Sequence, residues 1–101
     1  MKALEKLTPE MKKTLATYKT CIEHHEGLAV EHKQHGWNPS YMIYQRNNYA
    51  NLVHGYLKGL EDAGVITNLD RNKLFDHYVK YGFNFRINLV VKESKQNDEG
   101  I

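Results

Sequence analysis

With 101 residues the chain has room for one domain and one modest core. Its 14 Lys and Arg are interleaved with 12 Asp and Glu, and a net charge of +2 is too small to argue for nucleic acid on electrostatics alone. The single cysteine, Cys21, excludes an internal disulfide, and no apolar run approaches the ~20 residues needed to cross a bilayer.

A lone cysteine suits a reducing compartment. The stretch from Met1 to Thr8 is short and carries Lys2, Glu5 and Lys6, so it lacks a secretory apolar region. The expectation is a cytoplasmic protein, resident in a bacterium or delivered into one, that contacts no membrane. Seven tyrosines and six histidines are many for so short a chain. Tyrosine joins a large apolar body to one polar handle, which suits half-buried positions and partner-facing ones equally.

Met1 to Leu7 reads as a frayed start. Thr8-Pro9-Glu10 then places an N-cap, a proline at the first helical position and an acid near the positive end of the helix dipole. Met11, Leu15, Tyr18, Ile22, His25, Ala29 and His32 follow at alternating steps of four and three. That heptad seam predicts one long helix over 9–34, with Gly27 as a soft spot. Gly36-Trp37-Asn38-Pro39 supplies a C-cap glycine and a new helix start, and so short a link makes the next helix an antiparallel neighbour. Trp37, at the tip, reads as a plug over the bundle end or as an exposed anchor.

The second helix is expected from Asn38 to Gly64. Between Ser40 and Leu57 its only formal charge is Arg46, whereas a surface helix normally carries charges outside. It is therefore expected to be wrapped by other elements or by a partner. Tyr41, Met42, Tyr49, Leu52, Val53, Tyr56, Leu57, Leu60 and Ala63 sweep one broad arc, opposite Asn47, Asn51, His54, Lys58 and Asp62. Gly55 and Gly59 lie four apart beside the polar strip, where they either admit another backbone or are simply tolerated.

Gly64 ends that helix, and Thr67-Asn68-Leu69-Asp70 has the form of a capping box. A third helix is expected to Tyr81, with Leu74, Phe75, Tyr78 and Val79 inward and Gly82 as its stop. From Phe83 to Val91, apolar and polar residues alternate with the period of a half-buried strand. A lone strand leaves its backbone groups unpaired, so it must pair with a second copy, add to a partner's sheet or lie over the helices. The expected fold is thus mainly α: a helical hairpin plus a third helix, with one C-terminal strand, in a single domain over 1–91. Residues 92–101, KESKQNDEGI, read as a disordered tail.

Chemistry-bearing residues are thinly spread. Cys21, His25 and His32 share one side of the first helix, with His24 and His35 nearby. A second cysteine and the H-E-x-x-H pattern are both missing, so no metal is expected. His54, His77, Glu23 and Glu26 offer acid–base groups without a spacing that converges them, and there is no phosphate loop or nucleophile elbow. The sequence thus points away from an enzyme and implies no cofactor. Gly64 with its turn, followed by a helix bearing Arg71, Lys73 and Lys80, leaves a helix-turn-helix regulator of nucleic acid as the alternative.

The run from Gly55 through Tyr56, Leu57, Gly59, Leu60, Asp62, Ala63, Gly64 and Ile66 to Thr67, with Arg71 beyond, resembles a segment of small bacteriophage and mobile-element accessory proteins. The similarity covers about a quarter of the chain. It carries no catalytic residue across. It implies an accessory protein that binds and blocks a host enzyme or defence system, as anti-CRISPR inhibitors do. The resulting expectation is a non-enzymatic, protein-binding homodimer acting by steric occlusion. Its expected partner contacts are Trp37, Tyr41, Tyr44, Asn47 and Asn51, together with Phe83, Phe85, Arg86, Ile87 and Leu89 of the strand.

Overall fold

The computed structural model describes residues 1–91 and is mainly helical, as the periodicities require. Five helices occur among the described residues: α1 (Lys2–Glu5), α2 (Pro9–Gln34), α3 (Ser40–Asp62), α4 (Asn68–Tyr78) and α5 (Phe83–Asn88). The expected disordered tail lies outside the described residues.

Local chemistry sets most of the boundaries. Thr8 accepts the Met11 backbone N–H and Pro9 opens α2, so two of the helix's orphan donors are accounted for. Gly36 takes the left-handed conformation, φ 77°, that ends the helix beyond His35. The next helix starts at Ser40 with Pro39 at its N-cap, later than the expected start at Asn38, and the Asn38 side-chain oxygen accepts both the Ser40 N–H and its hydroxyl. At the start of α4 the capping box is complete: Thr67 Oγ1 accepts the Asp70 N–H, and the Asp70 carboxylate accepts the Thr67 N–H.

The long helices α2 and α3 form an antiparallel hairpin. Tyr18 meets Tyr56 edge-on at 6.4 Å between ring centroids, and His25 lies 5.5 Å from Tyr49, so contacts advance along one helix as they retreat along the other. Leu15, Ile22 and Ala29 of the heptad seam are buried, while Met11, Tyr18, His25 and His32 are half-buried at its edge. The inward side of α3 is narrower than the arc drawn on its wheel. Ala50, Val53 and Leu57 are buried, whereas Tyr41, Leu52 and Ala63 face solvent.

One side of the hairpin is covered by the shorter elements. Leu74, Tyr78 and Val79 close one core with Leu15, Ile22, Val53, Leu57 and Ile66. The N-terminal segment is not frayed, because Ala3 and Leu7 join that core and the Lys6 ammonium binds the Asp70 carboxylate at 2.5 Å. A second, smaller cluster of Ala29, Phe83 and Ile87 sits nearer the hairpin tip. The result is long and thin: principal extents are 62 × 20 × 19 Å, and the radius of gyration is 17.1 Å. A compact chain of this length has about 13 Å.

Two expectations are corrected. The segment expected as a strand is helical from Phe83 to Asn88, and there is no strand among the described residues. Residues 83, 87 and 90 recur at helical spacing, and those are the ones that pack inward, with Phe85 and Leu89 turned out. Short apolar runs satisfy both periods at once, and the α2 surface decides between them. With the strand goes any pairing of two copies through it. Helix α4 also ends at Tyr78, because Val79 adopts an extended conformation (φ −120°, ψ 107°) that seats its side chain in the core.

Candidate partner-binding site

Arg46, the one charge in the first two-thirds of α3, points inward. Its Nε donates to Glu26 Oε2 at 2.9 Å, Nη1 to Asn47 Oδ1 at 3.1 Å and Nη2 to the Lys80 carbonyl at 3.4 Å. The guanidinium carbon also lies 4.8 Å from the centre of the Phe83 ring. Glu26 is only 9% exposed, and Arg86 approaches its other oxygen at 3.7 Å. A carboxylate this buried requires such partners, since an uncompensated charge there is costly. The seam residues gave no warning of it: Glu26 lies just beside the His25 position of the heptad.

Committing Arg46 inward leaves the outward flank of α3 without charge from Tyr41 to Gly55. Beside that flank a groove of about 520 Å³ runs between α3 and the link from α4 to α5. Asn47, Asn51 and Asn84 line it with Phe75, Tyr81 and Phe83. Asn47 has its oxygen engaged by Arg46, which leaves its NH2 as donor, while an amide such as Asn51 offers both a donor and an acceptor. Amides alternating with aromatic rings match a polypeptide, whose backbone needs both kinds of hydrogen bond and whose side chains need apolar contact.

The ten expected contact residues divide accordingly. Tyr41, Tyr44, Asn47 and Asn51 are exposed along one side of α3. Trp37 is 57% exposed rather than a plug, stacked on His35 at 4.7 Å and edge-on to His32 at 5.3 Å. Phe85 and Arg86 of α5, and Leu89 at its C-cap, face solvent. Phe83 and Ile87 are 3% and 4% exposed, so they hold α5 in place and present nothing to a partner. Sequence reasoning missed Phe75, which α4 places on the groove, and Tyr81 and Asn84, which flank the turn at Gly82 (φ 79°).

The remaining chemical candidates sit as follows. His25 Nδ1 lies 2.8 Å from the Cys21 carbonyl and His32 Nδ1 2.9 Å from the Leu28 carbonyl, so each ring folds back along its own helix. Among the described residues no three His, Cys, Asp or Glu side chains are grouped to hold a metal ion. Glu23, Glu26 and His77 line one recess of about 240 Å³, but Glu26 is taken up by the two arginines there. His54 lies elsewhere, edge-on to Phe75 at 5.9 Å.

On α4 the Arg71 guanidinium is bound by the Glu61 carboxylate, whose pKa is held below its usual range chiefly by that hydrogen bond. Lys73 and Lys80 remain exposed. No described helix is long and apolar enough to cross a membrane. Compared with known proteins, the chain matches no family, no curated protein and no solved structure.

Proposed function

We propose that this chain is a non-enzymatic protein-binding module that occludes a host enzyme or defence system in the bacterial cytoplasm. Its resemblance to bacteriophage and mobile-element accessory proteins points to an anti-defence inhibitor, in the manner of the anti-CRISPR proteins. The observation that carries the reading is the flank of α3 from Tyr41 to Asn51, whose one charge is spent on Glu26 and whose outer side is aromatic and amide. A partner segment laid along the adjoining groove meets hydrogen-bonding amides and ring faces; of the two cations that line it, Arg46 is already paired with Glu26 and Lys80 is exposed.

Binding is tested with the tagged full chain against bacterial lysate, in parallel with Tyr44→Asp and Asn51→Arg variants of matched helix content. Proteins captured by the wild type and lost from both variants support the reading. An identical capture set for all three overturns it. The alternative, a nucleic-acid regulator built on α3 and α4, is separated by gel shift across salt concentrations. Phosphate contacts weaken steeply as salt rises, and a shift of that kind replaces the inhibitor reading.

A further inference from the structure

We propose that the bare face of the α2–α3 hairpin is the contact between two copies of this chain, stacked as a four-helix layer. The shorter helices all cover the other side. Tyr78 and Val79 pack on the hairpin there, the Lys80 carbonyl accepts from Arg46, and the Lys33 ammonium donates to the Ile87 carbonyl at 2.7 Å. The opposite side has no such cover. It presents Tyr18, His25 and Leu28 from α2 beside Tyr49, Leu52 and Tyr56 from α3. This face takes up three of the seven tyrosines and one of the six histidines, half-buried rings that edge the core along a helix–helix seam left uncovered among the described residues.

Three features select a second copy as the occupant. The first is charge. Tyr18, Cys21, His25, Leu28 and His32, at helical spacing along this flank of α2, and the stretch from Tyr49 to Tyr56 of α3 include no Lys, Arg, Asp or Glu. Like therefore meets like without repulsion, and a charged partner finds nothing to pair with.

The second is area. The 23 residues of α3 give a shared length of about 35 Å at 1.5 Å per residue. With the molecule 20 Å across, the face covers roughly 700 Å², close to the ~800 Å² per partner of a stable interface. The third is shape. A rod only 20 × 19 Å in cross-section is about two helices thick, and a two-fold stack of hairpins adds a further layer as a four-helix bundle does. The pairing does not depend on whether the outer flank of α3 meets a host protein.

Sedimentation velocity on the full chain, from low to high micromolar concentration, reads the pairing directly. The wild type is expected to move from monomer to dimer. Leu52→Glu, at a position 48% exposed in the single chain, is expected to weaken the dimer by about tenfold or more, because it buries an unpaired charge. Thr20→Glu, on an exposed turn of α2 away from the face, leaves it unchanged.

An unmutated readout guards against misfolding. Cys21 lies half-buried on the same face, so its labelling rate by a disulfide reagent falls as wild-type concentration rises. A chain that stays monomeric, with Cys21 reactivity independent of concentration, overturns the proposal. So does a dimer that Leu52→Glu leaves intact, because its contact then lies elsewhere. A monomer whose Cys21 is shielded only by a lysate protein assigns the face to that protein and likewise ends the proposal.

Discussion

Where α1 and α4 close over the hairpin, Leu15, Ile22, Val53, Leu57 and Leu74 have essentially no contact with solvent. Toward the tip, the buried residues of the corresponding layer among those described are Ala29, Phe83 and Ile87, edged by the half-buried Val30, Met42, Ile43 and Val90, and the space between the two is crossed by Glu26, Arg46 and Arg86. The broad end is thus held by non-directional burial, which tolerates small shifts of geometry. The narrow end relies on hydrogen bonds that must keep their distances, and on α5, a helix of six residues too short to persist alone. That difference places the weaker end of the fold beside the groove proposed to take a partner, as segments of low local stability often are.

The largest expected effect comes from breaking the polar link. Arg46→Ala leaves Glu26 buried with only Arg86 at 3.7 Å, and removing one partner of such a pair costs about 3 kcal/mol or more. Urea denaturation reads the loss. Amide exchange should show residues of α5 opening before those of α4. A double change, Glu26→Leu with Arg46→Leu, removes both charges and is expected to recover most of the stability. Were the single variant as stable as the wild type, the narrow end would owe its order to Phe83 and Ile87 alone.

A smaller effect tests the broad end at its rim. Asp70 joins α1 to α4, and its carboxyl is lowered to about 2, first by the Lys6 hydrogen bond and then by the Thr67 backbone N–H. In an unfolded chain the same group titrates near ~3.9. The folded value is the lower one, so the stabilisation is complete above about pH 4 and is lost as pH falls toward 2. Thermal unfolding of Asp70→Asn should show a shallower decline across that window than the wild type. Thr67→Ala removes the cap and is expected to cost about 1 kcal/mol at neutral pH.

What the sequence made legible was local. Thr8, Gly36, Gly64 and the Thr67–Asp70 box act within a few residues of themselves, and each stands where the pattern puts it. The heptad from Met11 to His32 is likewise a property of one helix. What was hidden depends on a second element. The burial of Glu26 follows from Arg46 across the hairpin, and the one signal for it was an isolated charge on a helix otherwise free of them. The helix at Phe83–Asn88 forms because residues 83 and 87 find Ala29, a surface that no alternation in residues 83–91 reveals. The groove required Gly82 to turn Tyr81 and Asn84 back toward α3.

The smallest expected effect falls on Gly55, read from the sequence either as a point of close approach or as a tolerated residue. A methyl group built there meets nothing within 4 Å, so within one chain the helix has no use for the missing side chain. Alanine at a helical, open position limits the unfolded chain and favours the helix, so Gly55→Ala is expected to stabilise by about 0.5–1 kcal/mol. Gly64, at φ 77°, is the opposite case, and alanine there strains the turn that ends α3. Both changes are read by the same thermal unfolding measurement, and the sign should differ. If Gly55→Ala raises the melting temperature yet reduces capture of a lysate partner, the glycine serves that partner; if capture is unchanged, the bare backbone at this turn serves neither fold nor binding.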